Sequence, residues 1–322
     1  MSHGPTNIDT KGACLYCRRT DVTLTDEHII PLFIGGKHVI KKASCSACAD
    51  ITKKFEQDVA RELWGDARIS YNAPSRRKKK KPTHIMLPGR IPGEHPLLVP
   101  YHEYPAPMIF YGMNRAGILR SVAADIDVSK EWVLKYIFDN DKAKRFEAKY
   151  PGRLTAKFRH VPESFGRLLA KIGYGQVLCT LDLSDFDPIC LPYILGTKRN
   201  VSYIVGGRES LAPSTPGIGY SMSTFLVADM TMAILGAEIR LLGDNGSPTY
   251  HAVVGSVAGA ERVQKVKNKV RATYMVELNS EFAPSKQLPD DLHWMPKIWP
   301  IKHDYIEANA ADKANNRVVA SR

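Results

Sequence analysis

Apolar residues at Ile51, Phe55, Val59 and Leu63 recur every four positions, which lines them along one stripe of a helix and makes Gly65 its expected stop. The spacing then changes. Between residues 83 and 122, prolines at 88, 92, 96, 100, 105 and 107 alternate with short apolar runs such as Leu97-Leu98-Val99 and Met108-Ile109-Phe110-Tyr111. Proline removes a ladder donor, so these runs are predicted as extended segments or edge strands. From Ser129 to Lys149 the pattern reads as helical, with Trp132, Val133, Tyr136, Ile137 and Phe146 on the apolar side. Another helix is expected to start at Pro162-Glu163, since proline suits the first turn and glutamate the positive end of the dipole. It would carry Phe165, Leu168, Leu169, Ile172 and Val177 inward. Beyond it, residues 201–205, 237–242 and 249–254 read as strands, with a turn at Gly243-Asp244-Asn245-Gly246. The Ala- and Asn-rich tail from about Asp304 reads as a frayed helix.

Helices and strands are interspersed without an internal repeat, so the fold class is α+β. The most apolar stretch, Phe225 to Gly243, is broken by Asp229, Glu238 and Arg240. It falls short of the roughly 18 uninterrupted apolar residues of a membrane span, so no membrane partner is expected. The first twelve residues lack the basic and apolar regions of a secretory signal, and a cytoplasmic, reducing location is the expectation.

Charge adds a partner class. The 322 residues hold 45 Lys and Arg against 33 Asp and Glu, a net +12 that points to a polyanion. Residues 1–82 carry 16 basic and 9 acidic residues, so about a quarter of the chain holds more than half of the surplus. Six consecutive cations, Arg76, Arg77, Lys78, Lys79, Lys80 and Lys81, repel one another and read as a solvated arm able to neutralise phosphates. The resulting plan is a flexible start (1–12), a compact unit (13–74), a basic linker (75–82), a larger α+β domain of unassigned fold and role (83–303) and a tail (304–322). A second basic run, Arg262 to Arg271, interleaves Val263, Val266 and Val270 with five cations, which suggests one packed and one basic face.

Four of the six cysteines fall in the first 48 residues as Cys14-Leu15-Tyr16-Cys17 and Cys45-Ser46-Ala47-Cys48. Each Cys-x-x-Cys knuckle presents two sulfurs on one side, and two knuckles supply the four soft thiolates of a structural zinc site. A pair of redox dithiols would need a neighbouring βαβ pattern, which is missing. Cys179 and Cys190 sit in apolar contexts and read as buried fillers.

Between the knuckles lies Thr25-Asp26-Glu27-His28-Ile29-Ile30-Pro31, followed by Gly35-Gly36. In this frame the string resembles the zinc-ribbed branch of the HNH, or ββα-metal, endonucleases, over about residues 13 to 64. The resemblance implies an N-terminal ββα-metal module and a metal-dependent endonuclease that hydrolyses DNA phosphodiester bonds. By resemblance, His28 is the general base and Glu27 a ligand of the catalytic ion, Mg²⁺ or Mn²⁺, beside the structural Zn²⁺. The chemistry agrees: an imidazole ordinarily near pKa 6.5 can accept a proton from water at neutral pH, and a divalent ion stabilises the charge gathering on phosphate and leaving group.

Two family positions differ. Ala49 stands directly after the second Cys-x-x-Cys, where His or Asn is usual, and no Asn occurs in Val39 to Ser44. Asp50, adjacent to Ala49 but about 100° round the helix, is one candidate substitute ligand of the catalytic ion. Thr52 and Glu56 share the face of Ala49, so Glu56 is a further candidate ligand; His38, in the loop, is another. Lys53 is placed to contact phosphate. The alternatives are a catalytically inactive zinc-stabilised nucleic-acid-binding module and an RNA-directed nuclease. One such site cuts one strand, so a double-strand product would need a homodimer or sequential cuts, and no sequence feature supports a dimer.

Overall fold

The computed structural model describes residues 8–276 except 9, 37, 74–81, 138, 209–219, 229 and 243–246, with backbone alone at 208, 271–276, 305–309 and 319–320. Strand β1 (Leu24–His28) pairs antiparallel with β2 (Val39–Cys45), and Glu27 lies opposite Ile40. The register slips between Thr25 and Glu27. Asp26 ties the resulting bulge by accepting from Lys41 Nζ at 2.6 Å and from the Lys42 N–H at 3.1 Å, which aims the end of β1. The Gly-Gly loop has a steric cause: Gly35 has φ 89°, and a Cβ on Gly36 would lie 1.9 Å from the Ile30 carbonyl oxygen.

Cys45 ends β2 and caps helix α1 (Ser46–Asp58), which runs on into a π-helical turn, Val59–Leu63. A four-residue repeat overshoots a 3.6-residue turn by about 40° per step. The wider turn, closed by Trp64 N–H to Val59 O at 3.0 Å, absorbs that drift and keeps Phe55, Val59 and Leu63 buried together. Gly65 does not end the helical region. It opens a second helix, α2 (Gly65–Ser70), after a bend at Trp64.

The proline-rich region is extended, as its spacing predicts: β3 (His84–Leu87) pairs with β4 (Leu97–Pro100), and β5 (Met108–Gly112) follows. The helix expected over 129–149 forms only from Asn140 on. Residues Val133–Ile137 are instead strand β6, paired antiparallel with β5, because β-branched and aromatic side chains there find a buried partner strand. Asp139, whose side chain accepts from the Lys142 N–H, starts α3 (Asn140–Lys149).

After β7 (Thr155–Arg159) comes the central element, α4 (Pro162–Leu178), buried at all but Glu163, Ser164 and Arg167. One side packs on an antiparallel sheet. That sheet is formed by β8 (Asp187–Pro188), β9 (Val205–Arg208), β10 (Tyr220–Ala228), β11 (Met232–Leu241) and β12 (Thr249–Ala258), with short helix α5 (Leu191–Ile194) between β8 and β9. Residues 201–203 form a 3-10 turn rather than the first part of the expected strand. The tail departs from the helix reading, since β13 (Tyr305–Asn309) pairs with β7 and with β14 (Val319–Ala320). The expected turn at 243–246 lies outside the described residues.

Helix α6 (Ala260–Val276) buries Val263 and Val266, as the interleaved pattern suggests. Three of its cations are engaged in ion pairs: Arg262 pairs with Asp187, and Lys265 and Lys269 pair with the fully buried Asp185 carboxylate. Cys190 is a buried filler, whereas Cys179 is exposed at the end of α4.

The compact N-terminal unit shares its core with the rest. Trp64 is fully buried against Phe110 (5.3 Å between ring centroids) and Phe165 (5.9 Å), and its indole N–H donates to Ile109 O at 2.5 Å. No described helix is long and apolar enough to cross a membrane.

Candidate metal centre and acidic site

The two knuckles meet at the base of the β1–β2 hairpin. The first is a tight turn with Arg18 at φ 64°, tied to β2 by Leu15 N–H to Ala43 O at 2.8 Å. The second is the β2–α1 junction itself. The four sulfurs of Cys14, Cys17, Cys45 and Cys48 lie within 4.8 Å of one another, and Cys17 Sγ is 3.7 Å from Cys45 Sγ. A tetrahedron with Zn–S bonds of about 2.3 Å has edges of roughly 3.8 Å, so the set fits zinc.

Electrostatics favours the same conclusion. Burial opposes ionisation of Cys17, but the Arg19 N–H and guanidinium outweigh it and take the thiol down to about 6. Cys45 is lowered against burial by the Cys48 N–H and Arg19, while burial and neighbouring thiols push Cys48 up. Four crowded thiols cannot all carry charge alone; a divalent ion relieves that repulsion and deprotonates the set.

Above the knuckles, α4 lies against β1 and α1. Gly175 makes this approach possible, because a Cβ there would sit 2.9 Å from Ile29 Cγ2. Tyr174 Oη donates to Leu15 O at 2.8 Å and accepts from Arg18 at 3.2 Å, Arg167 lies over the Phe55 ring, and Ser164 donates to Asp58 at 2.8 Å. In the middle of this seam Lys171 projects into the N-terminal unit. Its ammonium pairs with Glu27 Oε1 at 2.7 Å and with Glu56 Oε1, and donates to the His28 carbonyl at 2.6 Å. Burial lowers the Lys171 pKa, but the two carboxylates more than reverse this and raise it.

Glu27 and Glu56, one from the strand end and one from the helix, are thus brought to one point. The depth order matters: the Lys171 side chain is 1% exposed, Glu27 9% and Glu56 22%. The ammonium forms the floor and the carboxylates lie toward solvent. Each uses Oε1 on Lys171, leaving Oε2 as an acceptor and a formal charge of about −1 on the three groups, which suits an incoming hard cation. Tyr16, from the first knuckle, borders the site; burial first, then the Glu27 and Glu56 charges, hold its hydroxyl pKa well above the usual value.

His28 is half-buried at the end of β1. Thr52 is buried and donates to Ala49 O at 3.1 Å. Asp50 and Lys53 are exposed on α1. His38 is buried edge-on against the Tyr220 ring of β10, 6.2 Å between centroids. Arg76, Arg77, Lys78, Lys79, Lys80 and Lys81 lie outside the described residues. Lys171 escaped the sequence reading, although a lysine inside Leu168-Leu169-Ala170-Lys171-Ile172 is itself a signal, since buried charges are normally paired.

Comparison with curated proteins and with solved structures returns no match. Residues 14–63, under a fifth of the chain, match the HNH endonuclease family. The N-terminal ββα unit is therefore an HNH-family domain, with a four-cysteine cluster placed as in zinc-ribbed members and a larger α+β region packed against it.

Proposed function

We propose that the chain is a metal-dependent HNH endonuclease that hydrolyses DNA phosphodiester bonds, with His28 as general base. The observation that supports this most directly is the convergence of Glu27 and Glu56 on one point beside the His28 backbone, inside the segment that matches the family. Glu27 and Glu56 would hold Mg²⁺ or Mn²⁺. When bound, such an ion stabilises charge on the phosphate and the leaving oxygen. The chain's own groups do the rest: His28 Nδ1 or Nε2 takes the proton of the attacking water, and the four cysteines hold the structural zinc that fixes the hairpin against α1. Exposed Lys53 would contact phosphate, and the 76–81 cations would add sequence-independent, salt-sensitive affinity.

A specific observation favours a second reading, a catalytically inactive nucleic-acid-binding module. Ala49 offers no ligand, and Lys171 already neutralises one of the two carboxylate charges. A plasmid-nicking assay with Mg²⁺ or Mn²⁺ separates the two. Wild type should nick and His28→Ala should lose at least about a hundredfold, the usual scale of general-base catalysis. Undiminished nicking by His28→Ala removes the mechanism, and absence of cleavage of both DNA and RNA under every metal selects the inactive module. Parallel digestion of RNA tests the substrate class.

A further inference from the structure

We infer that Lys171, which the larger region supplies to the HNH-family domain, is a positioning and charge-setting residue of the hydrolytic site. This rests on the reading of Glu27, His28 and Glu56 given above. An ammonium has three donors, and the three acceptors at Lys171 Nζ are Glu27 Oε1, Glu56 Oε1 and the His28 carbonyl oxygen. All three belong to the proposed machinery. The first two are the candidate ion ligands, and the third is the backbone of the base itself.

Docking alone does not require this arrangement. The seam between α4 and the HNH-family domain is already held by Tyr174 on Leu15, Arg18 on Tyr174, Ser164 on Asp58, Arg167 over Phe55 and the close approach of Gly175 to Ile29. A methionine at 171 would fill the same apolar helix position without placing a charge among acidic groups. The lysine instead joins strand end to helix across the site. It fixes the separation of the two carboxylates, and it fixes the strand end from which the imidazole projects.

Lys171 also sets the charge of the site. Two carboxylates alone present −2 to a cation, and with the ammonium beneath them they present −1. Hard-ion affinity follows ligand charge and site rigidity, and the two effects of Lys171 oppose each other. Its charge weakens ion binding, while its three bonds hold the ligands and the base in the geometry that the chemistry needs. The HNH-family domain is therefore incomplete without α4, more than 100 residues further along the chain.

The test uses the full-length, zinc-loaded protein and two readouts: Mn²⁺ binding followed by electron paramagnetic resonance, and DNA nicking. Lys171→Met should bind Mn²⁺ at least about tenfold more tightly than wild type, as loss of a neighbouring positive charge requires, yet nick at least about tenfold more slowly. Adding Glu27→Gln should abolish the gain in binding. A purely structural lysine would weaken both readouts when replaced, and a mere plug would strengthen both; either pattern overturns the inference, as does Mn²⁺ affinity within twofold of wild type.

Lys171→Arg covers the case in which Lys171→Met fails to fold, shown by loss of zinc. It keeps the charge but replaces a compact three-donor centre with a planar fork. Mn²⁺ affinity should stay within about threefold while nicking falls about tenfold, and wild-type nicking by Lys171→Arg overturns the positioning role. Failure of the underlying function is distinguishable. If wild type nicks neither DNA nor RNA, the nuclease reading falls, while the Mn²⁺ comparison still decides whether Lys171 controls the charge of the site.

Discussion

Replacing Cys45 with serine should destabilise the whole chain, well beyond the zinc knuckle. Cys45 occupies three structural roles at once: last residue of β2, cap of α1 and one corner of the sulfur cluster, 3.7 Å from Cys17 Sγ and buried. Zinc modules show apparent metal-binding free energies of about 10–16 kcal/mol. One ligand in four therefore stands for roughly 2.5–4 kcal/mol at the least, and loss of the ion for more. Net domain stability is only about 5–15 kcal/mol, so the loss is of the same order as the total. The damage should spread because Trp64, sixteen residues beyond Cys48, is buried among Phe110 and Phe165, and because α4 packs on both the HNH-family domain and the sheet.

The assay is zinc content by elemental analysis together with thermal unfolding followed by circular dichroism and Trp fluorescence. Cys45→Ser, or wild type treated with a strong chelator, should lose zinc and show one transition at lower temperature by both probes. Two outcomes refute the reasoning. Full zinc content in Cys45→Ser removes the four-thiolate site, and an upper transition unchanged from wild type shows that the HNH-family domain unfolds apart from the rest.

Gly175→Val should lower stability by about 1–3 kcal/mol through overpacking, since a Cβ already meets Ile29 Cγ2 at 2.9 Å; denaturant titration reads the change, and an unaltered midpoint would show that α4 yields freely. Asp185 gives a pH dependence. Burial raises its pKa, but Lys269, the Asp182 N–H and Lys265 outweigh it and hold the folded value below the ordinary one. The contribution to stability is therefore present above the unfolded pKa of about 3.9 and is lost as pH falls through the folded value. Asp185→Asn should flatten the acid limb of the stability curve, and an identical limb in the variant contradicts the assignment.

Much of the N-terminal frame was legible because it is local. A Cys-x-x-Cys knuckle places its two sulfurs by backbone geometry over four residues, so two knuckles announce a zinc frame wherever the intervening chain brings them together. Glu27 and His28 were legible for the same reason, as adjacent residues in a recognisable frame. The Pro162 start of α4 and the buried stripe Phe55, Val59 and Leu63 follow from propensity and periodicity. The π-helical turn that keeps this stripe aligned was implicit in a spacing of four where an α-helix wants 3.6, yet the spacing alone did not say where the helix would widen.

What went unread depended on partners far along the chain. Val133 to Ile137 became a strand because Met108 to Gly112 was available to pair with it, and helical periodicity over a short apolar window carries no knowledge of such a partner. Arg262, Lys265 and Lys269 of α6 looked like part of a basic face until Asp182, Asp185 and Asp187 were placed against them. Glu56 stood out on the sequence as a carboxylate on the same helical face as Ala49, whereas Lys171 passed unremarked because its partners lie more than 100 residues away.

The sequence by itself determined the four-cysteine frame and the family resemblance around Glu27 and His28, because those depend on residue type and on contacts a few positions apart. Only the tertiary structure decided what the acidic residues face. By burying α4 between the sheet and the HNH-family domain, it placed one ammonium on Glu27, Glu56 and the His28 carbonyl. The charge of a buried site is the sum over everything folded around it, and a lysine 115 residues from Glu56 enters that sum only when the chain has folded.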